Sequence, residues 1–351
     1  MSNNIKLMVA MLALAGLCSI VGLATVHAAA PSLLANHAFA LTAGMTTLAL
    51  IITMGQNQIS LAGLMLSQCV AALCMCCFIE ESDYGFNQKV VMFGWAVLEP
   101  AFFITPSLVL LFAWARRYRQ GTPFFATATI VALLLAVFMS RISEATLILV
   151  LAAALYGFVV RINRHKAARC LIAAAFALSP FAAREIQMRM SGRSWLAPDS
   201  PIGSYASFSL CMVSNASWLG RPESRLPSPP PDLLADNALG YVSYYCGNWT
   251  IVLLAVVWTL LAVCLVIAAQ RARTSTQRIL AVGGATALTT QTILGILHFF
   301  FLVPRHSSYL PFVSANGSYT VACFAMLGLV LATLRNDLTA TETIKHRKEK
   351  P

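Results

Sequence analysis

Ten stretches of this chain, near residues 6–28, 36–54, 59–79, 95–115, 122–140, 143–160, 166–183, 247–269, 279–303 and 318–335, are apolar almost throughout. Each approaches the ~20 residues that a helix needs to cross the hydrocarbon of a bilayer. None alternates polar and apolar residues, so the runs are helical spans and not strands of a closed barrel. With 11% charged residues against 58% hydrophobic ones and a mean hydropathy of +0.74, too few charges remain to cover a water-soluble surface. The expected architecture is all-α: a polytopic membrane bundle of about ten transmembrane helices forming a single domain over residues 1–351. Lys6 and the run ending in Val26-His27-Ala28-Ala29 have the outline of a signal peptide, but the apolar run is long for one and reads as the first span.

Basic residues orient the spans. Arg116, Arg117 and Arg119 follow the fourth; Arg161, Arg164, Lys166 and Arg169 follow the sixth; Arg271, Arg273 and Arg278 follow the eighth; Lys345, Arg347, Lys348 and Lys350 lie in a tail over 336–351. With ten spans all four clusters share one side, and short basic loops remain in the cytoplasm. Both termini are therefore expected inside. A net charge of +11 is accounted for largely by these loops and does not point to nucleic acid. The same topology puts a long polar loop, about 184–246, outside between the seventh and eighth spans, together with 80–94, Ser140–Ser143 and 304–317.

Soluble-enzyme signatures are missing: the chain has no phosphate-cradling glycine loop, no paired-histidine zinc helix and no nucleophile elbow. Cys74, Cys76 and Cys77 sit at the end of an apolar run with no histidine near them and read as small packing residues, so no metal site is assigned. Cys211 and Cys246 both belong to the outer loop, where an oxidising compartment could join them, and the sequence leaves that open. Polar residues in the membrane plane are costly and so draw attention. They are Glu99 at the start of the fourth span, Arg141 and Glu144 before the sixth, and Gln291 and His298 in the ninth. Arg141 and Glu144 read as an interfacial ion pair closing a turn, and Gln291 as an interhelical hydrogen bond.

The segment Pro304-Arg305-His306-Ser307-Ser308-Tyr309-Leu310-Pro311-Phe312-Val313-Ser314-Ala315-Asn316-Gly317-Ser318 carries two prolines and a run of small polar residues at the mouth of the last span. Regular helix is blocked there, and irregular backbone at membrane depth lines a cavity. Gln291, Pro304, Leu310-Pro311-Phe312-Val313-Ser314 and Gly317-Ser318 resemble the penultimate span and following loop of the SEDS (shape, elongation, division and sporulation) proteins, the family of RodA and FtsW. The outer loop resembles that family in three further places: Asp199-Ser200-Pro201-Ile202-Gly203-Ser204-Tyr205, Leu219-Gly220, and Pro231-Asp232-Leu233-Leu234-Ala235-Asp236.

The resemblance implies peptidoglycan glycosyltransferase activity: lipid II disaccharides are polymerised into glycan strands at the outer face of the bacterial cytoplasmic membrane, and undecaprenyl pyrophosphate is released. It implies a class B penicillin-binding transpeptidase as partner. Asp236 falls where the family carries its proposed catalytic aspartate, and Tyr205, Gln291, Arg305, Pro311, Ser314, Gly317 and Ser318 are the implied substrate contacts. A carboxylate is a suitable base for a sugar hydroxyl, and the departing pyrophosphate needs positive charge, from Arg184, Arg221, Arg225 or Arg305 or from a divalent cation. Read without the resemblance, Asp236 is an N-cap before Asn237-Ala238-Leu239, and Asp232 a solvated loop residue.

The chain also departs from the family pattern. Glu99-Pro100-Ala101-Phe102-Phe103-Ile104-Thr105 replaces Gln-Pro-Ser-Glu-x-x-Lys, and Ser140-Arg141-Ile142-Ser143-Glu144-Ala145 replaces Gln-Pro-Asp-x-Gly-Thr. Ala315-Asn316 replaces Tyr-Gly, and Tyr244 and Tyr245 stand in place of two glutamates. These losses favour a second reading, a non-catalytic scaffold for the transpeptidase. A lipid-linked precursor transporter is a third, opposed by the scarcity of charge within the spans.

Overall fold

A computed structural model describes residues 3–79, 81–82, 85–86, 90–92, 96–138, 142–158, 211–219, 234, 237–299 and 309–348. The apolar runs within these limits are helices: α1 (Asn3–Ala29), α2 (Leu34–Thr53), α3 (Gln56–Ile79), α4 (Ile104–Arg117), α5 (Thr122–Phe138), α6 (Ile142–Phe158), α7 (Ala238–Cys246), α8 (Asn248–Arg271), α9 (Ser275–Phe299) and α10 (Gly317–Lys348). Five stretches are long and apolar enough to cross a membrane: Asn3–Ala29, Pro31–Thr53, Asn248–Arg271, Ser275–Leu297 and Gly317–Arg335. Leu61–Cys74, Pro123–Ala136 and Glu144–Tyr156 are shorter apolar helices. The protein is a multi-pass membrane protein of helical architecture. The expected span at 166–183 lies outside the described residues.

One expectation is corrected. The fourth span does not start near 95: Val90–Met92 pairs antiparallel with Ala96–Leu98, and Glu81–Ser82 pairs with Gly85–Phe86, so this part of the chain is two short hairpins. The α-helix begins only at Ile104, because Pro100 opens a 3-10 turn over Pro100–Phe103 and drives Glu99 into extended backbone (φ −105°, ψ 97°). Residues Ala238–Cys246 form α7, with Asn237 at its N-cap position, while Asp236 lies outside the described residues. α10 continues as helix to Lys348. Cys211 and Cys246, whose pairing the sequence left open, are both free thiols: Cys246 Sγ lies 3.5 Å from Thr25 Oγ1, and Cys211 Sγ accepts from Asn215 Nδ2.

α10 is the central helix, with 83% of its spanning window buried, whereas α1 and α2 are peripheral at 22% each. Around α10 pack α2, α9, α1 and α8, while α4 bridges α3, α9 and α5. Two polar contacts tie one end of the bundle: Arg271 Nη1 donates to Asn4 Oδ1 at 2.8 Å, and Arg335 donates to the Ile52 carbonyl. Asn4, Ile52, Arg271 and Arg335 are the ends that the alternating topology puts on one side. The other end gathers the last turn of α1, α7 and the chain between α9 and α10.

That intervening chain is held by close approach. A methyl group at Gly22 of α1 would stand 2.6 Å from the Val313 carbonyl oxygen, and one at Gly295 of α9 would stand 2.7 Å from the Tyr309 carbonyl oxygen. Both obstacles are backbone and cannot swing away. Small residues at such crossings let backbones meet where no hydrophobic effect drives helices together. Gly22→Ala is therefore expected to lower the unfolding temperature in detergent, by an overpacking cost of about 1–3 kcal/mol. Gly16→Ala on the same helix meets nothing within 4 Å and serves as the control, with no loss expected.

Candidate functional site

The residues from Tyr309 to Asn316 run inside the bundle without helix or strand, and Leu310, Phe312, Val313 and Ser314 are buried. Each buried amide in such a segment needs a partner. The amides of Val313 and Ser314 both donate to the Leu310 carbonyl at 3.1 Å, and the Leu310 amide donates to Ser314 Oγ at 2.7 Å. The turn is closed by its own serine. Pro311 is buried within it, and Phe312 takes a left-handed conformation (φ 67°), rare for an aromatic residue and typical of strained functional loops. Its ring holds the position by packing edge-on to Phe324, 5.0 Å between centroids.

α10 begins beside this turn. Asn316 is its N-cap: Oδ1 accepts from the Tyr319 amide at 3.0 Å, while Nδ2 donates to Glu99 Oε1 at 3.1 Å. The Glu99 amide donates to Ser318 Oγ at 2.9 Å. The extended backbone forced by Pro100 thus joins the start of α4 to the start of α10 through both its amide and its carboxylate. Gly317 lies under Ala40 of α2, whose Cβ would be 3.4 Å from a methyl group there. Phe102, Tyr309 and Tyr319 form an aromatic triad with centroids 5.2 to 5.4 Å apart, and Tyr319 donates to the Tyr309 carbonyl at 3.3 Å.

Deeper along the same line, Glu144 of α6 is buried and accepts from Thr105 Oγ1 of α4 at 3.2 Å. Glu144 is thus buried among the helices, and Arg141, its expected ion-pair partner, lies outside the described residues. Gln291 Oε1 accepts from the Cys323 thiol at 3.7 Å, a contact between α9 and α10 of the interhelical kind the sequence suggests. Sequence reasoning passed over Thr105, Tyr319 and Phe102. Their only signal is position: Thr105 and Phe102 stand where the resembled family carries its lysine and glutamate.

A second cluster closes the C-terminal end of α1. Val26, Ala30, Met212, Leu234, Tyr241 and Tyr244 are buried together, with Ala315 and Tyr245 packed against them. Tyr245 stacks on Tyr241 and meets Tyr244 edge-on. A small void is lined by Gly22, Thr25, Leu234, Ala238, Val313 and Ala315, so residues on both flanks of Asp236 face the same space as the 309–316 turn. Asp236 itself, with Asp232, Tyr205, Arg184, Arg221, Arg225 and Arg305, lies outside the described residues, as does the His298 side chain. Among the described residues no three His, Cys, Asp or Glu side chains converge on a point that could hold a metal ion.

Solved structures with the same architecture exist. A chain from a peptidoglycan synthase complex, in which polymerization and crosslinking are structurally coordinated, matches with a TM-score of 0.71 at 20% identity, over 93% of this chain and 97% of that one. The rod shape determining protein RodA of Thermus thermophilus matches at 0.66 and 18% identity, over 93% and 96%. The chain has the fold of RodA. A RodA variant with one aspartate changed to alanine matches almost equally, at 0.65 and 18%. No family model matches the sequence, and no curated protein matches it either.

The Glu99–Asn316 contact has a measurable energy. Asn316→Ala removes the cap and the carboxylate's donor, and an N-cap alone is worth about 0.5–2 kcal/mol. In a double-mutant cycle by thermal unfolding, Glu99→Ala and Asn316→Ala are expected to couple by about 1 kcal/mol or more. Strict additivity would show that the two side chains do not act on each other.

Proposed function

We propose that the chain is a SEDS-type peptidoglycan glycosyltransferase, polymerising lipid II at the outer face of a bacterial cytoplasmic membrane in cell-wall synthesis. The observation that carries this reading is the match over 93% of the chain, and 97% of the other, to a chain of a peptidoglycan synthase complex. Within that frame Asp236 is the base. It takes the proton from the acceptor sugar hydroxyl as that oxygen bonds to the donor's anomeric carbon, and the bond to undecaprenyl pyrophosphate breaks. Arg305, and the other outer arginines Arg184, Arg221 and Arg225, meet the negative charge of the leaving group in a site that excludes water, or a divalent cation assists them.

Leu234 and Ala238, on either side of Asp236, pack beside Val313 and Ala315 of the 309–316 turn, which supports this assignment. Pro311, Ser314, Gly317 and Ser318 shape the wall of the substrate site, with Tyr205 and Gln291 completing it. Ser314 serves by bracing the turn, since its hydroxyl is fully buried on the Leu310 amide. A class B penicillin-binding transpeptidase is the partner, and the basic ends near Arg117 and Arg271 face the cytoplasm with both termini. The aromatic filling at Phe102, where the resembled family has a glutamate, favours a second reading, a scaffold that holds the transpeptidase without turning over lipid II.

Purified protein incubated with lipid II, alone and with a candidate transpeptidase, separates the two. Glycan chains from wild type and at least a ~100-fold loss in Asp236→Ala, on the scale of removing a general base, are expected. Folded wild-type protein that yields no chains under either condition overturns the enzyme reading. Ser314→Ala leaves the Leu310 amide without its acceptor at a cost of about 1–3 kcal/mol and is expected to lower the unfolding temperature together with activity.

A further inference from the structure

α8 presents two faces with opposite fates. Trp249, Val252, Val256, Leu260, Val263 and Val266 follow each other at helical spacing and are 41–54% exposed. Leu254, Val257, Leu261 and Leu265 on the opposite face are buried, where α8 packs on α1 and α9. This is the most apolar span, with a window hydropathy of 3.1. Its 24 residues rise about 36 Å, enough for the ~30 Å hydrocarbon core with a margin at each end. Trp249 is the second residue of the helix and stands at one end of the exposed stripe.

Residues 211–219 are fastened to that end. The Asn248 amide donates to the Ser217 carbonyl at 3.1 Å, the Trp249 amide to the Trp218 carbonyl at 3.4 Å, and Asn248 Nδ2 to the Ala216 carbonyl at 3.4 Å. These bonds satisfy amides that the first turn of a helix leaves without partners. Met212 anchors the other end of the segment in the buried cluster with Val26 and Tyr241. Trp218 and Leu219 are nonetheless 62% and 82% exposed, the latter the most exposed large apolar residue described. Two large apolar side chains are thus held rigidly outward at the level of Trp249. Tryptophan at a membrane–water interface places its apolar body among acyl chains and its N–H among headgroups.

We propose that Trp218 and Leu219, continuous with Trp249 and the lipid-facing stripe of α8, form an interfacial anchor that inserts into the headgroup–acyl boundary of the bilayer. The anchor pins the outer loop immediately ahead of residues 220–236 to the membrane surface. It requires no turnover and stands whether the protein is a polymerase or a scaffold.

The test uses the full chain in phosphatidylcholine liposomes whose acyl chains carry bromine either near the headgroup or near the chain end. The six tryptophans make a difference spectrum necessary, wild type minus Trp218→Phe, with thermal unfolding checking that the variant is folded. The difference emission is expected to be quenched about twofold or more by shallow bromines and less by deep ones. Leu219→Asp provides a second arm with all tryptophans kept, and is expected to reduce shallow quenching by pushing the segment outward. Difference emission that neither lipid quenches, together with Leu219→Asp behaving as wild type, would overturn the anchor. It would put Trp218 in water or beneath another protein or a second copy.

Discussion

Everything at one end of this bundle depends on a single requirement: the amides of residues 309–316 lie among helices, away from water, and must be satisfied without a helix or a sheet to do it. The Ser314 hydroxyl supplies one acceptor and the Leu310 carbonyl supplies two more. Because the turn is self-satisfied, its outer surface is free to touch the backbone of α1 at Gly22 and of α9 at Gly295. Asn316 then ends the irregular stretch by capping α10, the most buried helix. The strain at Phe312 is sustained by burial of its ring, which links the turn's conformation to the packing of α10.

The departures at residues 99, 105, 144 and 316 are not scattered. Glu99 bonds Asn316, and Thr105 bonds Glu144, so changes far apart in the chain meet in pairs across α4, α6 and α10. Where the resembled family pairs an acid with a base along one helix, this chain distributes two acids and neutral partners over several. Phe102 fills the space between with an aromatic triad. The polar line from Ser318 to Gln291 is a set of hydrogen bonds that fix how helices meet.

Much of this was legible beforehand. The eighth span, expected at 247–269, is helical over Asn248–Arg271, and the last, expected from 318, begins at Gly317. Two prolines in Pro304–Ser318 pointed to the irregular segment. Less legible was the onset of α4. Hydropathy read Ala96–Leu98 as part of a span, and only strand pairing and the turn at Pro100 delay the helix to Ile104.

The sequence by itself determined the helical spans and the irregular turn, because transfer into lipid and a missing proline N–H are local properties. Tertiary structure alone decided that Glu99 would hold Asn316 and Ser318, residues separated from it by 217 and 219 positions. It also decided that Glu144 would be buried among the helices, and that Trp218 would be fastened to the head of α8. A hydrogen-bond partner is chosen by how helices cross, and where lipid tails are as apolar as leucine, those crossings depend on notches such as Gly22 and Gly295, whose fit exists only once both surfaces are assembled.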